Sequence, residues 1–287
     1  MALINVGASF PSNMWAVVRL LLTTGRKADR LAAKRLLTPP TLPAGETDDF
    51  DDAVKSLADL GIVTRSDETV ELATKAGELS LNDVVGFNRL LRSAALDPRR
   101  NEDLAVKPDA DGPKDLTRAL AWFLTRDPFD EPLDWPLASK LQAGAFPSHL
   151  PDPIVNDVRW NRFMYWAPAL GFAGRPLLPP AGPVRIVPDC TVAVRETVHS
   201  LWHDGQSVNA SEAVARIVEE LPVLPGGRYS RALGLPAPEG RQSASLSNAL
   251  LTGEEDGWIK FGRPSDAGNV FLADGRGVAS FTIYGRA

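Results

Sequence analysis

The stretch Leu60-Gly61-Ile62-Val63, a polar turn Ser66-Asp67-Glu68, and Thr69-Val70-Glu71-Leu72 decides how this chain is read. Two short apolar strands around a polar turn form a β-hairpin, and helical patterns run up to it from the N-terminal side. Three helices closed by a hairpin give the outline of a winged helix-turn-helix, in which the third helix holds the recognition position. The same order recurs at the other end. Helical patterns lead into Asp256-Gly257-Trp258-Ile259, a turn at Ser265-Asp266-Ala267-Gly268 and a strand Asn269-Val270-Phe271-Leu272.

Working outward from the first hairpin, Phe50, Val54, Leu57 and Leu60 recur at helical spacing and predict a third helix over about 49–60. Pro11-Ser12-Asn13 offers a start for a first helix with Met14, Val17, Val18, Leu21 and Leu22 on one side. Between them, Lys27 to Leu37 reads as a second helix that turns Leu31 and Leu36 inward and its basic residues outward. Pro39-Pro40 ends it, and a loop with Pro43 and Gly45 follows.

The second module starts with a helix from about Thr191 to His203, with Val192, Val194, Val198, Leu201 and Trp202 as core. Asn209-Ala210-Ser211 caps the next, which carries Val214, Ile217, Val218 and Leu221. After an insertion over 226–240, residues 242–251 read as a short third helix with Leu246 and Leu250 inward. Strands follow at 258–261, 270–273 and 278–284, the last two joined at Asp274-Gly275.

Residues 81–180 read as a helical connector between modules at 1–80 and 181–287. Its helices fall near 81–96, 115–125 and 153–167, with Trp122, Trp135, Trp160 and Trp166 as core rings. Val106 to Pro113 reads as an exposed loop, and Arg175 to Pro188, with five prolines, as a stiff boundary. The expected fold class is thus mainly α with short β-hairpins, an α+β chain.

A net charge of −5 excludes a protein that coats DNA through a global positive field, because counterion release needs clustered Lys and Arg. Any DNA contact must be local. One cluster is Arg26, Lys27, Arg30, Lys34 and Arg35 against Asp29, for which a solvated helix face is the competing reading. A second is Arg228 and Arg231 in the insertion, Arg241, Gln242, Ser245 and Asn248 on the short third helix, and Arg263 and Arg276 in the hairpins. Arg suits guanine edges and Asn or Gln suits adenine, each by two hydrogen bonds. The first module's third helix carries Asp51, Asp52 and Asp59 beside Lys55, which repels phosphate and favours protein docking.

Phosphate-loop, dinucleotide, paired-cysteine and nucleophile-elbow motifs do not occur in the sequence. Glu196, His199 and His203 share a helix face at metal-ligand spacing, but Ser200 stands where a zinc protease carries Glu. Neither a metal nor a cofactor is expected, and the chain is read as a non-enzyme. A lone Cys190 suits a reducing cytoplasm, and the apolar window 15–22 is too short to span a bilayer.

The residues Leu3-Ile4-Asn5-Val6, Pro11-Ser12, Trp15-Ala16-Val17-Val18-Arg19-Leu20-Leu21, Leu37-Thr38-Pro39-Pro40 and Leu60-Gly61-Ile62-Val63 resemble the DpdG-like family. The resemblance is clearest over 1–75. It implies an accessory role in bacterial gene clusters that insert 7-deazaguanine bases into DNA and restrict unmodified DNA, beside helicase, ATPase or nuclease subunits. It supplies no site residues. The expected function is a DNA-binding adaptor subunit of such a complex. The alternatives are a homodimeric regulator of its own gene cluster and a pure protein scaffold.

Overall fold

The computed structural model describes residues 2–5, 9–39, 41, 48–106, 112–178, 182–263 and 269–285. Three features expected from sequence lie outside them: the loop of Pro43 and Gly45, the centre of the 106–113 loop, and the turn Ser265-Asp266-Ala267-Gly268. In chain order the first elements are α1 (Pro11–Thr23), β1 (Lys27–Asp29), α2 (Arg30–Leu37), α3 (Asp49–Asp59), β2 (Val63–Arg65) and β3 (Thr69–Leu72). Then come α4 (Val84–Ala95), α5 (Lys114–Phe123), α6 (Trp135–Gln142), α7 (Asp157–Ala169), β4 (Ala173–Gly174) and β5 (Val187–Pro188). The last are α8 (Thr191–Leu201), β6 (Ser207–Asn209), α9 (Ala210–Glu220), α10 (Arg228–Ala232), α11 (Ala244–Glu255), β7 (Ile259–Phe261), β8 (Val270–Phe271), β9 (Gly277–Val278) and β10 (Ser280–Ile283). The class is α+β with small antiparallel sheets, as the sequence predicts.

The chain forms two compact units. Unit one is Met1–Glu102 with Asp109–Leu116 and Asp157–Leu170; unit two is Asp103–Pro108, Thr117–Asn156 and Gly171–Ala287. The helices expected to form a separate connector over 81–180 are divided between them, because α4 and α7 pack on α1 and so belong to unit one. Sequence order alone does not reveal that attachment.

Unit one has a three-stranded antiparallel sheet in the order β1-β3-β2, with Lys27 opposite Glu71 and Val63 opposite Leu72. β1 corrects the expectation of a helix beginning at Lys27. Gly25 and Arg26 both adopt positive φ, which reverses the chain after α1, and the next three residues pair with β3. Asp29 then caps α2 by accepting the Ala32 N–H at 2.7 Å. The core joins Met14, Val17, Val18 and Leu21 of α1 to Phe50, Ala53, Val54 and Leu57 of α3, with Val63 and Val70 from the sheet.

Unit two repeats this order of elements. α8, β6, α9, α11, β7 and β10 follow one another as helix, strand, helix, helix, strand, strand, and the sheet order β6-β10-β7 matches β1-β3-β2. Asn209 caps α9 where Asp29 caps α2, accepting the Ser211 N–H at 2.9 Å. The hairpin differs from its expected pairing: β7 pairs with β10, not with Asn269–Leu272. β8 instead pairs with β9 across the Asp274-Gly275 turn, as a small hairpin inserted between the two long partners. The chain is buried without interruption from Thr117 to Leu124, along most of α5. Val192 is exposed, contrary to its expected place in the core, while Val194 and Val198 are buried as expected.

Candidate interaction surfaces

In unit one, α2 and α3 are tied by ion pairs. Asp51 of α3 accepts the Arg30 Nε–H at 3.1 Å and a Lys34 Nζ–H at 2.7 Å, and Lys34 also pairs with Asp48. Burial pushes the Asp51 carboxyl up, but the bonds from Lys34 and Arg30 outweigh it and hold the group at about 2. Lys34 is raised in turn by its bonds to Asp48 and Asp51. Lys27 pairs with Glu71 at 3.4 Å, and Arg26 donates to the Gly77 carbonyl. Of the five cations expected to form a positive patch, Arg35 alone has no partner among the described residues. Lys27, Arg30 and Lys34 are thus paired with carboxylates, whereas Arg26 meets a neutral carbonyl and Arg35 is exposed.

The same helix corrects a second expectation. Leu31 and Leu36 are 58% and 67% exposed, and Ala33 is the residue that α2 buries. Positions 31, 32, 35 and 36 fall on one side of a helix. That side presents Leu31, Ala32, Arg35 and Leu36 to solvent.

In unit two the helix at the recognition position is enclosed. Ser245 has no exposed surface; its hydroxyl donates to the Leu124 carbonyl at 2.8 Å, and its carbonyl accepts the Cys190 thiol at 3.4 Å. This overturns the expectation that Ser245 faces a DNA base. Asn248 is half-buried. The inserted hairpin is bonded to the same helix and its approach: the Ala273 N–H donates to Ser247 Oγ at 2.9 Å, and the Gln242 N–H to the Phe271 carbonyl at 2.7 Å. Arg276 pairs with Glu254 at 2.9 Å and with Asp274 at 3.4 Å, and Arg241 donates to the Ala273 carbonyl at 3.3 Å. Arg228 lies over the Tyr229 ring, 4.9 Å from its centroid, and donates to the Tyr229 hydroxyl. Arg231 and Arg263 are exposed.

Between α9 and the inserted hairpin lies an open groove of ≈ 440 Å³. Val214 and Val218 line one wall, Pro238 and Phe271 another, and its polar residues are Arg241 and Gln242 with Ser211 and Asn269. Among the described residues no Asp or Glu lines it.

A comparison with protein families reaches most of the chain, the family's model matching residues 1–267. The chain belongs to the DpdG-like family. The match bears out the resemblance seen in the first 75 residues and extends it through most of both repeated modules. No curated protein and no solved structure matches the chain.

In this DpdG-like protein His199 and His203 line one small pocket with Asp204. His199 Nε2 lies 3.0 Å from the Tyr284 carbonyl, its ring stands edge-on to Trp258, and Glu196 is buried. Among the described residues no group of three His, Cys, Asp or Glu side chains is placed to hold a metal ion. Burial pushes the Cys190 thiol far above its ordinary range, so it is a packing residue in the DpdG-like fold. No helix among the described residues is long and apolar enough to cross a membrane.

Three features escape the sequence reading. The exposed leucines of α2 are hidden because apolar residues are normally read as inward. Phe271 belongs to a different pairing from the one its position suggests. Asp115 is not singled out by any motif, yet it is buried and receives the N–H groups of Leu3 at 2.9 Å and Ile4 at 2.8 Å. A carboxylate two residues after Pro113 at a helix start is its only signal.

Proposed function

We propose that this DpdG-like protein is a non-catalytic adaptor subunit of a bacterial complex linked to DNA modification or anti-phage defence. Its two repeated units act as winged-helix modules, and its partners are other subunits and, through local contacts, nucleic acid. The reading of the modules is supported by the shared element order and by the shared sheet order of β1-β3-β2 and β6-β10-β7.

The observation that carries the adaptor reading is the occupation of both third helices. α3 commits Asp51 to α2, and α11 is covered by its own hairpin. A recognition helix must offer free donors and acceptors to base edges, and Asp51 of α3 and Ser245 and Ser247 of α11 are already engaged. One exposed surface of unit one is the outer side of α2, where Leu31 and Leu36 flank Arg35. That combination suits a partner protein with an apolar groove and a carboxylate at its rim.

Co-expression of the full chain with each protein encoded beside it tests this. The double variant Leu31→Glu with Leu36→Glu should fold with unchanged Tm, since both side chains are exposed, and should lose the co-purifying subunit. Retention of that subunit by the variant would overturn the docking assignment. Gel shifts at two salt concentrations test the nucleic-acid half.

A further inference from the structure

The groove of unit two brings three chemistries together. Phe271 is 46% exposed on a two-residue strand whose other residue, Val270, is buried. Its ring is thus available to a flat ligand. Gln242 is fixed beside it by the 2.7 Å bond from its own N–H to the Phe271 carbonyl, and its side-chain amide has no partner among the described residues. Arg241 uses one N–H on the Ala273 carbonyl, which leaves further donors of its guanidinium fork. Among the described residues the lining has no carboxylate, although the chain carries 36 Asp and Glu and a net charge of −5. Among the described residues, the one charged side chain of the lining is thus a cation, Arg241, which an anionic ligand can pair with.

A ring to stack on, an amide that both donates and accepts, and a cation together match the base, the base edge and the phosphate of a nucleotide. Pockets for small ligands run from about 300 to 1,000 Å³, so a groove of ≈ 440 Å³ suits one such unit. A base paired and stacked in a duplex has no free face to offer. We propose that this groove binds one unstacked nucleotide of a single-stranded nucleic acid, with the base on Phe271, its edge at Gln242 and a neighbouring phosphate at Arg241. The inference deepens the nucleic-acid half of the proposed function and rests on it; the adaptor half stands apart.

The test uses the full chain and a labelled single strand of mixed sequence, read by fluorescence anisotropy across a salt series. The same sequence as duplex and a deoxynucleoside monophosphate serve as competitors. The strand should bind more tightly than either competitor. Phe271→Ala should weaken it by about 5- to 150-fold, the range for one base stacked on an aromatic ring, without changing the salt slope. Arg241→Gln should instead reduce the magnitude of that slope by about 0.7, one phosphate's share on a single strand. Gln242→Leu keeps the size of the side chain and should weaken binding without altering the slope. Equal binding of strand and duplex, a monophosphate that binds as tightly as the strand, or an inert Phe271→Ala would each overturn the proposal. If the strand fails to bind while the subunit still co-purifies, the groove is refuted and the adaptor reading survives.

Discussion

Raising the pH through the range of about 4 to 7 should cost the fold stability through one carboxyl, that of Asp115. This side chain is 1% exposed at the start of α5. Its Oδ1 accepts the N–H of Leu3 at 2.9 Å and of Leu116 at 2.8 Å, and its Oδ2 accepts that of Ile4 at 2.8 Å. Burial raises its pKa from 3.8 to about 6, outweighing those three bonds and the charge of Arg159. The folded state therefore holds the proton to a higher pH than the unfolded state. Stability from this group is fully present below the unfolded pKa and is lost as pH rises through the folded one. A shift of this size corresponds to about 3 kcal/mol, of which roughly 2 kcal/mol is lost between about pH 4 and 7. Asp115→Asn removes the titration. It keeps one acceptor but turns an NH2 toward the Ile4 N–H, a mismatch that costs about 1–3 kcal/mol at every pH. The assay is denaturant unfolding followed by tryptophan fluorescence, Trp160 and Trp166 being buried in the same unit. The advantage of the native protein over Asp115→Asn should shrink by about 2 kcal/mol from about pH 4 to 7. A constant difference, or one that grows with pH, would refute the reasoning.

Three further outcomes are expected. Asp51→Asn should release Arg30, while Lys34 keeps Asp48, at a stability cost of about 1 kcal/mol, and should steepen the salt dependence of any duplex binding by up to about 0.9, one phosphate's worth; an unchanged slope in gel shifts would show that the freed cation does not face phosphate. Gly253→Ala drives a Cβ into the Trp258 ring, so the gain in helix propensity should be exceeded by an overpacking cost of about 1–3 kcal/mol, visible as a lowered Tm. Cys190 should resist thiol reagents in the native protein and react only on unfolding, and rapid labelling without denaturant would contradict its burial.

Much of the scaffold is legible in the sequence because its longest periodic segments carry their own signal. Phe50, Val54 and Leu57 mark the buried side of α3 in the sequence and in the structure alike. Phe281 and Ile283 alternate into the core as their spacing predicts. β1 is hidden because Lys27-Ala28-Asp29 is too short to show alternation and stands among residues with good helix propensity. α2 is turned over relative to its expected orientation because hydrophobicity counts as a vote for burial, whereas a helix held by Asp51 and by one buried alanine can leave its leucines in water. The pairing of β7 with β10 is masked by the hairpin inserted between them, since sequence neighbours are the default partners. The groove draws its walls from α9, the loop around Pro238 and the inserted hairpin, and no linear pattern spans such a set.

The two units share one topology but differ in what it leaves free, and the second helix is where they differ most. Asp29 and Asn209 cap the two helices at the same point of the repeat, and the fourth residue of each, Ala33 and Ala213, is buried. Beyond that match, α2 carries Lys34 and Arg35 where α9 carries Val214 and Ala215. Lys34 is drawn to the carboxylates of α3, which leaves the outer side of α2 open to a partner. Val214 forms a wall of the groove that faces the inserted hairpin. In each unit the third helix is held by the fold itself, by ion pairs in one and by a covering hairpin in the other. On the proposed reading, binding falls to the second helix, as an open apolar face in unit one and an open groove in unit two. A substitution on α3 or α11 should then alter stability first, and a substitution on the exposed side of α2 or in the groove should alter binding with stability unchanged.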